Sequence, residues 1–197
     1  MIDFWNNRYA EPDFAYGEEP NQFFREELQH LKPGKLLLPA EGEGRNAVFA
    51  ARLGWEVTAF DMSVEGKKKA ERLAEKYQVK INYVVCDFMN FETADNEFDC
   101  IAFIFFHPHP NFRKQFHQMG MKWLKPGGKL IFQGFSKEQI NEKSGGPQNE
   151  SMLFSIEELQ NDFQPLSTIH LQPNTVLLNE GKYHQGMAKV INCTGIK

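Results

Sequence analysis

The sequence is poor in cysteine, with 3 in 197 residues: Cys86, Cys100 and Cys193. They are far apart, odd in number and set in apolar, strand-like runs. This excludes a disulfide framework or a recognisable zinc site and points to core thiols in a reducing compartment. No apolar run approaches the ~20 residues needed to cross a bilayer, so no membrane partner is expected. The start, MIDFWNNRYAEPD, lacks the basic segment and apolar stretch of a secretory signal, and a cytoplasmic protein is expected. Basic charge is also short, with 22 Lys and Arg against 26 Asp and Glu and a net charge of −4. Nucleic-acid binders carry a basic surplus or stripe, so no nucleic-acid partner is expected. The one lysine cluster, Lys67 to Lys69, falls on a helical pattern and reads as a solvated face. Internal repeats and low-complexity segments are absent.

Apolar residues are plentiful, at 41%, and 18 of the residues are Phe. That supports a full hydrophobic core in a chain of ordinary domain size. Strand-like and helix-like stretches alternate. Leu36 to Leu38, Glu56 to Phe60, Ile81 to Val85, Asp99 to Phe106 and Lys129 to Phe132 read as five strands. Between them, Arg45 to Leu53 is a short apolar helix stopped by Gly54. Ser63 caps a helix to about Tyr77 that turns Ala70, Leu73, Ala74 and Tyr77 inward. Asn111 to Leu124 carries Phe112, Phe116, Met119 and Trp123 at helical spacing, read as core packing. Lys125-Pro126-Gly127-Gly128 reads as a turn, and Ser155 to Glu158 as a capping box opening a last helix. Strands near Ser167 to Leu171 and Met187 to Asn192 complete the pattern.

The expected fold class is α/β: a Rossmann-like, doubly wound, mainly parallel sheet with helices on both faces. Residues 1–197 are read as a single domain, with residues 1–35 an N-terminal arm and 36–197 the core. The arm, rich in aromatics, and the polar loop 136–150 are each open to two readings, lids over a pocket or ordinary packing and surface segments. Loops after the first three strands converge where open sheets bind ligands.

The first of these loops is the most informative. In LLLPAEGEGRN an apolar strand gives way to two glycines flanked by Glu41 and Glu43. Gly42-Glu43-Gly44-Arg45-Asn46-Ala47 fits the G-x-G-x-x-A dinucleotide fingerprint, and Asp61 ends the second strand 19 residues after Gly42. A pyrophosphate, however, wants backbone N–H groups and no nearby carboxylate. S-adenosylmethionine carries a sulfonium and an ammonium instead, plus one carboxylate that a helix N-terminus near Arg45 is able to meet. Either Glu reads equally as an ordinary loop residue pointing to solvent. Asp87, directly after the third strand, is placed to accept the adenine amino group while Phe88 covers the ring, although Asp at a strand end is also an ordinary cap.

Taken together, the chain resembles class I S-adenosylmethionine-dependent methyltransferases over nearly its whole length. LLLPAEGEGRNAVFAA resembles the first motif of that family, VTAFDMS the second, CDFMNF the third, and LKPGGKLIFQGF the segment around strand five. WNNRYAEPDFAYGEEPNQF, GGPQNESMLFSIEELQNDF and EGKYHQGMAKVI resemble the tellurite-resistance and thiopurine methyltransferase-like branch. The resemblance implies a seven-stranded sheet with its last strand antiparallel. It also implies a cofactor site of Arg8, Glu41, Gly42, Gly44, Arg45, Asn46, Asp61, Met62, Asp87 and Phe88. The first motif departs from the family pattern: Leu38 stands where an acid is usual and Ala40 where Gly is usual. The acid's contact is then missing, or Glu41 supplies it.

Methyl transfer from a sulfonium is an in-line displacement that needs alignment and exclusion of water. A thiolate, selenide or tellurium nucleophile needs little further activation, whereas oxygen or nitrogen usually needs a base. His107 and His184 are the candidate bases, and Tyr16, His107, His109 and Tyr183 the candidate contacts for a small-molecule methyl acceptor. His107 reads equally as a histidine satisfying loop backbone. His107 and His109 form an H-x-H, but no third ligand has metal-site spacing, and no metal is expected. Two other functions remain open, an NAD(P)-dependent oxidoreductase and a non-catalytic S-adenosylmethionine-binding module.

Overall fold

The computed structural model describes residues 2–197. The chain divides into two compact units. The first runs to Glu92 and takes in Glu180–Tyr183, and the second comprises Thr93–Asn179 and His184–Lys197.

In the first unit two helices precede any strand: α1 (Ile2–Tyr9) and α2 (Gln22–Gln29). Neither shows in the strand-helix alternation, since both precede the first strand; each has 8 residues. Such short helices depend on caps and packing. Asn21 caps α2, its side chain accepting from the Phe24 N–H at 3.0 Å, and Phe24 and Leu28 fill the core beneath. The alternation then follows as expected: β1 (Lys35–Pro39), α3 (Arg45–Arg52), β2 (Glu56–Asp61), α4 (Val64–Lys76) and β3 (Asn82–Val85). Both β1 and β3 pair in parallel with β2. Leu36, Leu37 and Leu38 are all buried, as a strand covered on both faces requires. Each contributes roughly 2 kcal/mol of apolar burial.

Ser63 caps α4 by accepting from the Gly66 N–H at 3.1 Å, and Gly66, Ala70, Leu73 and Ala74 face inward. One expectation fails here. Lys67 and Lys68 are the solvated pair, bridged to Glu71 and Glu65, but Lys69 is buried. Helical geometry explains it: Lys69 lies one turn before Leu73, on the inner stripe.

The second unit holds β4 (Phe98–Ile104), α5 (Pro110–Trp123), β5 (Leu124–Phe135), α6 (Ile156–Asp162), most of β6 (Thr168–Glu180) and β7 (His184–Ile196). β5 runs parallel to β4 and antiparallel to β7. The Lys125–Gly128 stretch is not a free turn. β5 already pairs at Leu124 opposite Phe98, the register slips before Lys129 meets Cys100, and the extra residues bulge out. That bulge is fastened to the chain end by Gly127 N–H donating to the Lys197 carbonyl at 2.8 Å.

The aromatic stripe expected of α5 holds at Trp123, which is buried, and fails at Phe112. Phe112 is 47% exposed, and the buried face is His117, Gly120, Met121 and Trp123. Gly120 is the reason: a Cβ there would lie 2.6 Å from the Phe103 ring, so its absence lets the helix settle on that ring. The capping box at Ser155 is present in full. β6 and β7 extend to 13 residues each, well beyond the expected segments, and the 136–150 loop contains the 3-10 turn Lys137–Asn141. The seven strands form one sheet in the order β3-β2-β1-β4-β5-β7-β6, mainly parallel with β7 antiparallel to β5, and flanked by helices. This is the Rossmann-like architecture expected from the sequence.

Candidate cofactor site

The site in the first unit starts from backbone geometry at the end of β1. Gly42 and Gly44 have φ of 65° and 85°, in the left-handed region that side chains disfavour. Contact also enforces them. A Cβ on Gly42 would sit 2.6 Å from the Tyr9 hydroxyl, and one on Gly44 would sit 2.4 Å from the Ala70 Cβ. Ala40 has φ of 53° as well, so the position where the family resemblance places glycine does need a left-handed residue, and this chain uses alanine there.

The turn delivers Gly42 to the tip of β2. The Gly42 N–H donates to Asp61 Oδ2 at 3.1 Å, and the Ser63 N–H donates to Oδ1 at 2.8 Å. Burial pushes the Asp61 carboxyl up to about 6, against the pull of these backbone donors. The glycine turn and the strand-two acid therefore form one unit. The Tyr83 hydroxyl on β3 donates to the Gly42 carbonyl, so three successive strands hold the turn.

The two glutamates both turn inward, which settles the alternative left open by the sequence. Glu41 bends over the start of α3: its Oε1 accepts from the Ala47 N–H at 2.8 Å and its Oε2 from the Asn46 amide at 3.3 Å. It thus takes one of the free donors at the helix N-terminus. That donor is then not free to meet a cofactor carboxylate near Arg45. Burial raises the Glu41 carboxyl to about 7. Glu43 accepts from Lys69 Nζ at 2.7 Å and from the Ala15 N–H at 2.8 Å, and Lys69 also donates to the Asp13 carbonyl. Arg45 and Asn46 are buried too, and tie the turn to the N-terminal segment. Arg45 donates to the Tyr16 carbonyl at 3.0 Å and to Glu180 at 2.9 Å, while Asn46 accepts from the Asn21 N–H at 2.9 Å.

Met62 is half-buried beside Asp61. Asp87 is exposed and caps the short turn Phe88–Asn90, accepting from the Met89 and Asn90 N–H groups at 2.9 and 3.1 Å. Phe88 is buried edge-on against Phe60. Sequence reasoning missed Tyr9 and Lys69. Tyr9 stacks on Trp5 and sets its hydroxyl against Gly42. The signal for both was faint: an arm aromatic and a helical lysine whose partners lie far away in sequence. Arg8 and Tyr16 are joined by a 2.9 Å hydrogen bond, and the Tyr183 hydroxyl donates to Glu11 at 2.6 Å.

The remaining sequence-predicted residues lie in the second unit. His107 donates from Nδ1 to the Met152 carbonyl at 2.8 Å and accepts at Nε2 from the Phe135 N–H at 3.1 Å. Both nitrogens are committed to backbone, and burial lowers its pKa to about 4. In this geometry His107 braces backbone and keeps no lone pair for a proton or a metal, which corrects its expected role as a base. His109 caps α5 from the surface by accepting from the Asn111 N–H at 3.3 Å. His184 is buried edge-on to the Phe105 and Phe135 rings.

Residues 39–132 match the sequence family described as a methyltransferase domain. No curated protein matches the chain. Solved structures resemble it in fold. One, from work on the conversion of a disulfide bond into a thioacetal group during echinomycin biosynthesis, superposes with a TM-score of 0.78 at 14% identity, over 100% of this chain and 92% of its own. TehB from Haemophilus influenzae gives 0.73 at 17%, over 100% of this chain and 66% of its own. An S-adenosylmethionine-dependent methyltransferase from Methanosarcina mazei gives 0.70 at 15%, over 90% and 98%. Residues 39–132 thus match a methyltransferase domain, in a chain with a Rossmann-like fold. The cofactor of that domain is S-adenosylmethionine, and the protein is a methyltransferase enzyme. Among the described residues no helix is long and apolar enough to cross a membrane.

Proposed function

We propose that this methyltransferase acts on a small molecule with a soft nucleophile, a thiol or an oxyanion such as tellurite. Its cofactor would lie against Gly42, Gly44, Asp61, Met62, Asp87 and Phe88. The observation that carries the reading is the placement of Glu41. With its carboxyl already on the N–H of Ala47, the start of α3 has one donor fewer to offer a pyrophosphate. That disfavours the dinucleotide alternative, whereas a nucleoside without phosphate needs only the Asp61 carboxylate for its sugar.

The soft nucleophile rests on a second observation. With both His107 nitrogens bonded to backbone, a reaction that needs no strong base suits the site best. The structural neighbour from work on a disulfide-to-thioacetal conversion, itself sulfur chemistry, lends support. Bound cofactor supplies an electrophilic methyl and leaves as a neutral thioether. The chain's part is to orient and to exclude water. Calorimetry with S-adenosylhomocysteine and with NADH, followed by product analysis on a panel of thiols and tellurite, tests this. Micromolar binding of the first ligand and methylated product from at least one soft acceptor are expected. Tight NADH binding, or methylation of amines and alcohols alone, would reverse it.

A further inference from the structure

Side chains of α1 and the following loop form a second cluster with Tyr183. Arg8 is the centre. Its guanidinium lies 4.0 Å from the Tyr183 ring centroid and 4.5 Å from that of Phe4, and donates one hydrogen bond to the Tyr16 hydroxyl. A guanidinium has five N–H donors. Among the described residues no carboxylate lies within ion-pair distance of it, although the Glu11 carboxyl feels its charge at longer range. Glu11, the acid nearest in sequence, is held by Lys182 Nζ at 2.8 Å and by the Tyr183 hydroxyl. The contrast with Arg45 is direct, because that guanidinium is buried, paired with Glu180 and bonded to backbone. Arg8 is only half-buried and Phe4 is 54% exposed, so the planar cation and the ring beside it are open to a ligand.

On the methyltransferase reading, we propose that Arg8, with Tyr16 and Tyr183, is the subsite for an anionic group on the methyl acceptor, a carboxylate or an oxyanion carried on a flat or compact molecule. A planar guanidinium recognises such groups through two parallel hydrogen bonds, and its stacking on rings fixes the plane of the fork. This moves Arg8 from the cofactor, where the family resemblance put it, to the acceptor. Of the two neighbours on α1, Tyr9 is the one that meets the glycine turn, whereas Arg8 contacts Tyr16 and Tyr183, both candidate acceptor residues from the sequence.

The test is calorimetry with full-length protein, saturated with S-adenosylhomocysteine and without it. The probes are 2-mercaptobenzoate, its uncharged counterpart 2-mercaptobenzamide, and tellurite. Wild type is expected to prefer the benzoate over the amide by about 10- to 100-fold, the weight of one charge-assisted contact. Arg8→Met should abolish the preference, and Arg8→Lys should restore part of it, with S-adenosylhomocysteine affinity unchanged in both. A tellurite response lost in Arg8→Met would favour an oxyanion acceptor, and a response confined to the benzoate would favour an organic carboxylate. The proposal is overturned if wild type binds no anionic probe more tightly than the amide. It is equally overturned if Arg8→Met weakens S-adenosylhomocysteine tenfold, or if it lowers only the unfolding temperature. Failure of S-adenosylhomocysteine to bind wild type would instead strike the parent reading, and the probe preference in cofactor-free protein would still decide the subsite.

Discussion

Replacing Lys69 by methionine isolates the feature that holds the glycine turn in place. The Lys69–Glu43 pair is a 2.7 Å contact between side chains that are 7% and 3% exposed, and Glu43 also accepts from the Ala15 N–H. Methionine keeps the apolar stem and removes the charge, leaving Glu43 buried without a countercharge. Breaking a buried pair in this way costs about 3–5 kcal/mol. That is a large share of the roughly 5–15 kcal/mol a domain has in total. The loss should depend on pH. Burial already holds the Glu43 carboxyl above its ordinary value, with Lys69 the main group pulling it down. Removing Lys69 raises it further. A carboxyl raised on folding is most favourable when protonated, so its contribution is retained at low pH and lost as pH rises through the folded value. Urea unfolding should therefore show a full penalty at pH 8 and a smaller one near pH 4.5. Adding Glu43→Gln at pH 8 should recover most of the difference, because the charge is then gone. A penalty below about 1 kcal/mol at pH 8, the range of exposed pairs, or one flat with pH, would refute the reasoning.

Gly44→Ala should cost about 2–5 kcal/mol, from a left-handed alanine plus the clash with Ala70. Gly54→Ala, with φ of 90° but open space around it, should cost only about 1–2 kcal/mol, as thermal unfolding of the pair will show. His107→Ala strips partners from the Phe135 N–H and the Met152 carbonyl and should cost about 2–4 kcal/mol in unfolding assays. Because burial holds its pKa near 4, the pH dependence of wild-type turnover should show no limb between pH 6 and 7 that this substitution removes.

The sheet was legible because strand and helix periods differ, and runs such as Leu36 to Leu38 or Asp99 to Phe106 bury both faces. The glycine turn and Asp61 were legible from their spacing. The direction of each side chain was not. Glu43 turns inward because Lys69 sits on the inner stripe of a helix 26 residues later, and nothing in GEGRN encodes that partner. His107 illustrates the same limit. FFHPHP offers an imidazole after strand four, but its partners are the backbone of Phe135 and Met152, fixed only once β5 and the following loop are in place. The short helices α1 and α2 were hidden for a different reason, since both precede the first strand and so lie outside the alternation that marked the others.

The central claim is that the Asp61 carboxylate, fixed by the Gly42 and Ser63 amides, grips the sugar of a phosphate-free nucleoside cofactor. Calorimetric titration of wild type and Asp61→Ala with S-adenosylhomocysteine tests it most directly. The account predicts micromolar affinity for wild type and a loss of about 10- to 100-fold in the variant, with folding intact. Equal affinity in a well-folded variant, or tight binding of a pyrophosphate-containing dinucleotide in place of S-adenosylhomocysteine, would contradict it.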